Sequence, residues 1–480
     1  MNFSIVRYII GYLLQFEGGF LLLPGVVGIL YGETKAAISF FITAALSFLI
    51  GKLLSIKRPA HKELFTREGF AAVALGWLIL SMFGALPFVF SGDIPNYVDA
   101  LFETISGFTT TGASILIDVE ALTHASLFWR SFTHWIGGMG VFVFIMSILP
   151  LMGGTTMNLM RAESPGPSVS KLVPRAKDTA KILYQIYIGI TIVECVLLCL
   201  CGMELFDAIT TTFGTVGTGG FGIRSDSIAG YSPLIQNVVT LFMISSGVNY
   251  AAYFCILRKQ FKEAFSIEEV KWYFIIILAS VGIITINVHH MYSSLSETVR
   301  HAFFQVGSII TTTGFATVDF NAWPQLSKTI LVLLMFVGAC AGSTGGGIKV
   351  SRIVILFKAA HKELSTMIHP RQVKKTKMDG HVITHETLRS TNVFISVYLI
   401  IMLLSVLLIS LDNYDFTSNF TAVVATLNNI GPGLELVGPA GNFALFSPFS
   451  KCVLMFDMLA GRLELFPMLI ILLPSCWKKY

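Results

Sequence analysis

The chain has 480 residues, 54% hydrophobic and only 13% charged, about half the charged share of a soluble globular chain, roughly 25%. A mean hydropathy of +0.73 and 39 phenylalanines exclude both a set of water-facing domains and a disordered polymer. The net charge of +5 calls for no nucleic-acid partner, because cytoplasmic loops beside anionic membrane lipid account for it.

A spanning helix needs about 20 mostly apolar residues. Ten segments qualify: 8–31, 36–54, 70–91, 125–150, 181–203, 233–257, 272–290, 327–348, 392–411 and 452–475. The first is longer than a signal core and lacks a small-residue cleavage site, so it reads as a membrane helix. Of the 33 Lys and Arg, 26 group on one side: Arg7, 51–68, 155–181, 256–271, 349–390 and the C-terminal tail. Positive loops face the cytoplasm, which places both termini there. The seven cysteines lie mostly in apolar runs without zinc or disulfide spacing and read as helix packing.

Between the spans lies a repeat. Asp99 to Gly112, Asp207 to Gly220 and His301 to Gly314 each read as a short, mildly apolar helix followed by a glycine break, and a looser copy ends at Gly431. The glycines recur after 108, 94 and 117 residues. Self-similarity of this kind marks a repeated supersecondary unit. The expected fold is an all-α integral membrane protein with four pseudo-repeated helix–pore-helix–helix units around one pore, preceded by two extra transmembrane helices. The units are 1–68 for the two leading helices, then 69–176, 177–270, 271–385 and 386–480 for the four pore repeats.

Non-helical backbone cannot face lipid, so four such breaks must point at one another or at water. A half-helix entering from outside aims its partially negative C-terminal end at the membrane centre, which favours a cation. The loop beyond can replace the hydration shell of a potassium-sized ion with carbonyl oxygens. Glycine there supplies positive φ and adds no side chain. Threonines add hydroxyl oxygens, and Thr-Thr-Thr-Gly occurs at 109–112 and 311–314.

Further along, Gly338 to Gly347 holds five glycines with Ser343 and Thr344, a composition that breaks a helix in mid-membrane. It reads as a flexible loop in the pore. Gly217-Thr-Gly-Gly-Phe-Gly222 fits a dinucleotide fingerprint, but a membrane helix precedes it rather than a strand. Arg462 lies within the last apolar segment, where arginine costs at least ~2.5–3.5 kcal/mol on insertion scales. It faces either the pore or an ion-pair partner, Glu464 or Asp457. Glu17, His134 and Trp135 read as packing or interface residues. No nucleophile–base pair or metal cluster is visible, so an enzyme is disfavoured and no cofactor is expected.

At these residues the sequence resembles the TrkH/TrkG family of bacterial potassium uptake proteins, which is grouped with KtrB and the plant HKT transporters. The residues that carry the resemblance are Thr-Thr-Thr-Gly112, Thr-Val-Gly-Thr-Gly-Gly220, Thr-Thr-Thr-Gly314, Asn-Asn-Ile-Gly431 and Gly342-Ser-Thr-Gly-Gly-Gly-Ile-Lys349. The resemblance implies one pore per chain, a homodimer, and a bacterial plasma-membrane location. It implies K⁺ as the transported ion, held at Thr110, Thr111 and Gly112, at Thr218, Gly219 and Gly220, at Thr312, Thr313 and Gly314, and at Asn429, Ile430 and Gly431. In the second loop Gly219 could replace Gly220 by a one-residue slip, and in the fourth Gly433 rivals Gly431. Glycine rather than serine at 112 favours potassium over sodium. The resemblance makes Gly342, Ser343, Thr344, Gly345, Gly346 and Gly347 a gate below the filter, with Arg462 projecting toward it. It also implies a cytoplasmic TrkA-like ring of nucleotide-binding regulatory subunits. The rival function is a symporter coupled to H⁺ or Na⁺, for which the intramembrane candidates are Glu17, Glu194 and Glu464.

Overall fold

The computed structural model describes residues 1–59, 65–140, 176–371 and 375–478. Two long helices, Phe3–Leu30 and Thr34–Ser55, open the chain as an antiparallel hairpin with a three-residue turn. Small residues let their backbones approach. A Cβ on Gly11 would lie 2.7 Å from the Gly51 carbonyl oxygen, and one on Gly18 would lie 2.8 Å from that of Ala44. This is the close packing that membrane helices use where lipid supplies no hydrophobic drive.

Four units follow. Each begins with a long apolar helix: Thr66–Ser91, Ala176–Leu200, Glu268–Val288 and His385–Ile409. Each then has a shorter helix: Tyr97–Phe108, Leu205–Val216, Leu295–Ile310 and Phe416–Leu427. An irregular loop leads to a second helix: His124–Met139, Pro233–Ser246, Gln325–Val337 and Pro448–Arg462. Three of these second helices start at a side-chain cap, from Thr123, Ser232 and Ser447, and two have Pro in the first turn, where its missing N–H costs nothing.

Among the described residues six helices are long and apolar enough to cross a membrane, and one further pair of apolar helices is sharply bent. The ten-segment reading is corrected in the second helices of the units. Residues 233–257 are not one span but two helices at 94°, broken at Gly247–Asn249. The segment 327–348 stops at Val337 because the glycine run cannot hold a helix. The segment 452–475 breaks after Arg462, with Glu464 and Leu465 at φ 57 and 67. Pro467 lies in the first turn of the next helix and could not have continued the old one, lacking an N–H for the carbonyl of Leu463. The latter part of 125–150 and most of the basic stretch 155–181 lie outside the described residues. Within the basic loop 349–390, Lys377–Met378 pairs with His381–Val382 across an Asp-Gly turn, the one strand ladder among the described residues.

Candidate functional site

The four short helices end in one shared device. The N–H groups of Thr110, Thr218, Thr312 and Asn429 donate to carbonyls three residues back, at 3.0 to 3.1 Å. The next residues, Thr111, Gly219, Thr313 and Ile430, donate five residues back, to Ser106, Gly214, Ser308 and Ala425 at 2.8 to 2.9 Å. This pair of bonds is the Schellman closure, which requires a left-handed residue at its turn. Thr110, Thr218, Thr312 and Asn429 accordingly have φ of 54, 54, 60 and 56. Threonine is rarely found there, because its branched Cβ crowds the backbone, so three such threonines mark strain that the surroundings sustain.

Two residues further on, the chain turns left-handed again at Gly112, Gly220, Gly314 and Gly431, with φ of 76, 78, 85 and 95. The register of the two ambiguous loops is thereby resolved at the backbone: Gly220 and Gly431 take the repeated position, and Gly219 and Gly433 do not. Gly219 is glycine for another reason. A Cβ there would collide with the imidazole ring of His134, nearest its Nδ1.

These four glycines interlock. A Cβ on Gly112 would overlap the carbonyl oxygen of Gly219, and one on Gly220 that of Thr313. A Cβ on Gly314 would overlap the carbonyl of Ile430, and one on Gly431 would lie 2.7 Å from that of Thr111. Each loop thus seats the carbonyl of the next, and the fourth returns to the first. The Asn429 side-chain amide completes the closure, donating to Thr111 Oγ1 and to the Met458 carbonyl, each at 2.9 Å. All four glycines line a single cavity of about 130 Å³. The threonine hydroxyls partly serve the loops themselves: Thr109 pairs with Thr111, and Thr311 with Thr313, each at 2.8 Å.

At the opposite end of the loops lies the glycine-rich stretch. It leaves the helix at Gly338 with φ 72, turns again at Gly342 and Gly347 with φ 70 and 74, and ends at Lys349. Gly346 N–H donates to Thr312 Oγ1 at 2.6 Å, and a Cβ on Gly345 would lie 2.8 Å from the Thr311 carbonyl oxygen. The stretch is also laced to the break in the second unit. Tyr250 N–H donates to the Gly342 carbonyl at 3.1 Å, Cys340 N–H to that of Gly247 at 3.0 Å, and Thr344 Oγ1 to that of Ser246 at 3.2 Å. Ser343 Oγ stays local, donating to the Cys340 carbonyl at 2.6 Å.

Arg462 reaches this stretch. Its guanidinium donates to the Thr344 carbonyl and the Gly138 carbonyl, each at 2.8 Å, and also to that of Gly137. The latter two end the helix His124–Met139, where a cation is favoured by the dipole. The two ion-pair candidates are occupied elsewhere: Glu464 pairs with Arg352, and Asp457 accepts from Ser405 Oγ at 2.7 Å. Arg352 also lies 3.9 Å over the ring of Phe394.

Sequence reasoning passed over two groups, the buried pair Arg130–Glu103 and the pair Lys451–Asp99 at 2.6 Å, and read His134 as packing, without its hydrogen bonds to Gly107 and Phe221. A signal existed for the first, since ionisable residues at membrane depth are expensive and need a partner. Among the described residues no group of three or more His, Cys, Asp or Glu side chains is placed to hold a metal ion.

The fold and site together define a polytopic membrane protein whose four half-helices bring glycine loops into one ring. The family model for TrkH, described as a cation transport protein, matches residues 36–478. The Trk system potassium uptake protein TrkH of Salmonella typhimurium is 39% identical over 487 residues, covering all of both chains. TrkG of Escherichia coli, also a Trk system potassium uptake protein, is 34% identical over the full length of both. The crystal structure of the potassium transporter TrkH from Vibrio parahaemolyticus superposes with a TM-score of 0.88 at 34% identity, over 100% of each chain. The chain belongs to the TrkH family.

Proposed function

We propose that this chain takes up potassium across the bacterial plasma membrane, with the glycine ring as its selectivity filter. The observation that carries this reading is the closed cycle of Gly112, Gly220, Gly314 and Gly431 against the carbonyls of Gly219, Thr313, Ile430 and Thr111. Carbonyl oxygens gathered on one axis at the C-terminal ends of four half-helices suit a dehydrated monovalent cation. The filter residues are Thr110 to Gly112, Thr218 to Gly220, Thr312 to Gly314 and Asn429 to Gly431.

The stretch Gly342 to Gly347 is the gate, and Arg462 holds it against the first unit. The loop continues into the helix Val350–Ile368 and the basic 349–390 segment, which face the cytoplasm. A nucleotide-binding regulatory subunit of the TrkA kind docks there and shifts the loop between two positions. Both termini are cytoplasmic and two chains pair as a homodimer.

Transport is channel-like. Strict coupling to H⁺ or Na⁺ would need titratable groups along the path; of the three candidates Glu464 is engaged by Arg352, and the buried Glu17 and Glu194 are not among the residues that line the cavity at the ring. Purified chain in liposomes tests the reading by rubidium tracer uptake with and without a sodium or proton gradient. Uptake driven by the rubidium gradient alone supports a channel, and uptake that stops without the second gradient refutes it.

A further inference from the structure

Behind the first two loops lies a polar cluster that the ring does not itself require. Glu103 is nine residues before Gly112, on the short helix Tyr97–Phe108, and is 1% exposed. Its carboxylate accepts from Ser114 Oγ at 2.9 Å, Ile115 N–H at 3.0 Å and Arg130 Nε at 2.8 Å, and Arg130 Nη2 lies 2.7 Å from it. Ser114 and Ile115 follow Gly112, so this one side chain spans the first loop from its helix to its far end. Arg130 is 2% exposed. It passes the connection on, donating from Nη1 to the Gly222 carbonyl at 3.1 Å and lying 4.1 Å over the ring of Phe221. Both partners belong to the second loop.

One helical turn further along the same helix, His134 makes a second bridge. Phe221 N–H donates to its Nε2 at 3.3 Å, so that nitrogen is unprotonated. Its Nδ1 therefore holds the proton and donates to the Gly107 carbonyl at 2.9 Å. The imidazole is neutral and joins the end of the first half-helix to the second loop. Its ring also fills the space beside Gly219.

The fourfold pattern is broken here. The position of Glu103 is Gln305 in the third repeat, which reaches Thr317 and Val318 only at 3.5 Å, Thr211 in the second and Ala422 in the fourth. At this position only the first loop carries a charged brace. Buried ion pairs seldom add net stability over apolar packing, whereas a planar guanidinium held through two of its nitrogens on one carboxylate oxygen imposes geometry. A site that must discriminate by fractions of an ångström needs such support from behind.

We infer that Arg130 and Glu103, with His134, are specificity-determining positioning residues: they set the separation of the first and second loops and thereby the K⁺ over Na⁺ discrimination of the ring. This rests on the ring being the filter. The test is rubidium uptake into liposomes by the full-length chain, with sodium and potassium as competitors, at matched monodisperse yield. Glu103→Gln and Arg130→Lys are expected to lower the K⁺ over Na⁺ ratio about tenfold, equivalent to about 1.4 kcal/mol. The doubly neutral Glu103→Gln, Arg130→Gln chain, whose amides can still hydrogen-bond, is expected to recover part of it. Should Glu103→Gln fail to fold, Arg130→Lys, which keeps the charge, decides alone. Variants that fold with an unchanged ratio overturn the brace. Gly314→Ser serves as the control: if it too leaves the ratio unchanged, the filter reading itself has failed, and if it abolishes discrimination the brace alone has.

Discussion

Arg462 donates to the carbonyl oxygen of Thr344 at 2.8 Å, fastening the glycine-rich loop of the third repeat to the end of the fourth repeat's second helix. Its other hydrogen bonds, to Gly137 and Gly138, tie the same guanidinium to the first repeat. One side chain therefore spans three of the four units at the level of the proposed gate. Hydrogen bonds from a charged donor contribute roughly 1.5–3 kcal/mol each.

Arg462→Ala should release Thr344 and raise rubidium flux without a regulatory partner, by about tenfold if about 1.4 kcal/mol of closure is lost. Flux at the parental level, in protein of normal yield, would rule out the latch.

Deleting residues 343–346 removes the Gly346 N–H that meets Thr312 Oγ1 and the Thr344 hydroxyl that meets the Ser246 carbonyl. The shortened chain should conduct constitutively while keeping its preference for potassium, because the ring glycines are untouched. Liposome flux without partner, compared with the parent, checks this, and an equally slow deletion would contradict it.

Gly314→Ser introduces a Cβ where the Ile430 carbonyl sits and a side chain at φ 85. Loss of potassium selectivity, or of transport altogether, is expected in tracer competition.

Gly219→Ala should be nearly as damaging although Gly219 is not left-handed, because the new methyl collides with His134. Adding His134→Ala vacates that space. The double variant should then recover folded yield relative to Gly219→Ala alone, as measured by size-exclusion chromatography, and a double variant no better folded would show that the collision is not the cause.

Gly51→Leu strikes the backbone of the first helix near Gly11, where even a Cβ would stand 2.6 Å from a carbonyl oxygen. Overpacking of this kind costs about 1–3 kcal/mol, or more where backbone must move. Thermal unfolding should shift downward while the K⁺ over Na⁺ ratio holds, since the leading hairpin lies outside the ring.

Membrane insertion, the two leading helices, the four half-helices and the identity of the broken loops were legible in the sequence. Each depends on local chemistry: runs of apolar residues for lipid, and Thr-Thr-Thr-Gly or Gly-Thr-Gly-Gly where the backbone must leave a helix. The glycine run at 338–347 announced its own break in the same way. Tertiary structure alone decided the rest. Whether Gly219 or Gly220 takes the ring position depends on a helix-closing hydrogen bond and on a histidine 85 residues earlier, neither of which composition encodes. The 94° bend at Gly247 and the stop after Arg462 look apolar and continuous along the chain. The bend is tolerated because Ser246, Gly247 and Tyr250 meet Thr344, Cys340 and Gly342 of the third repeat, whereas the stop closes on its own preceding turn, Leu465 N–H donating to the Ala460 carbonyl. Arg462 offered two acidic neighbours in sequence, Asp457 and Glu464, yet it binds carbonyls 118 and 324 residues away. Local pattern reports what a segment will tolerate, and which distant group satisfies it is set only when the four repeats close on one another.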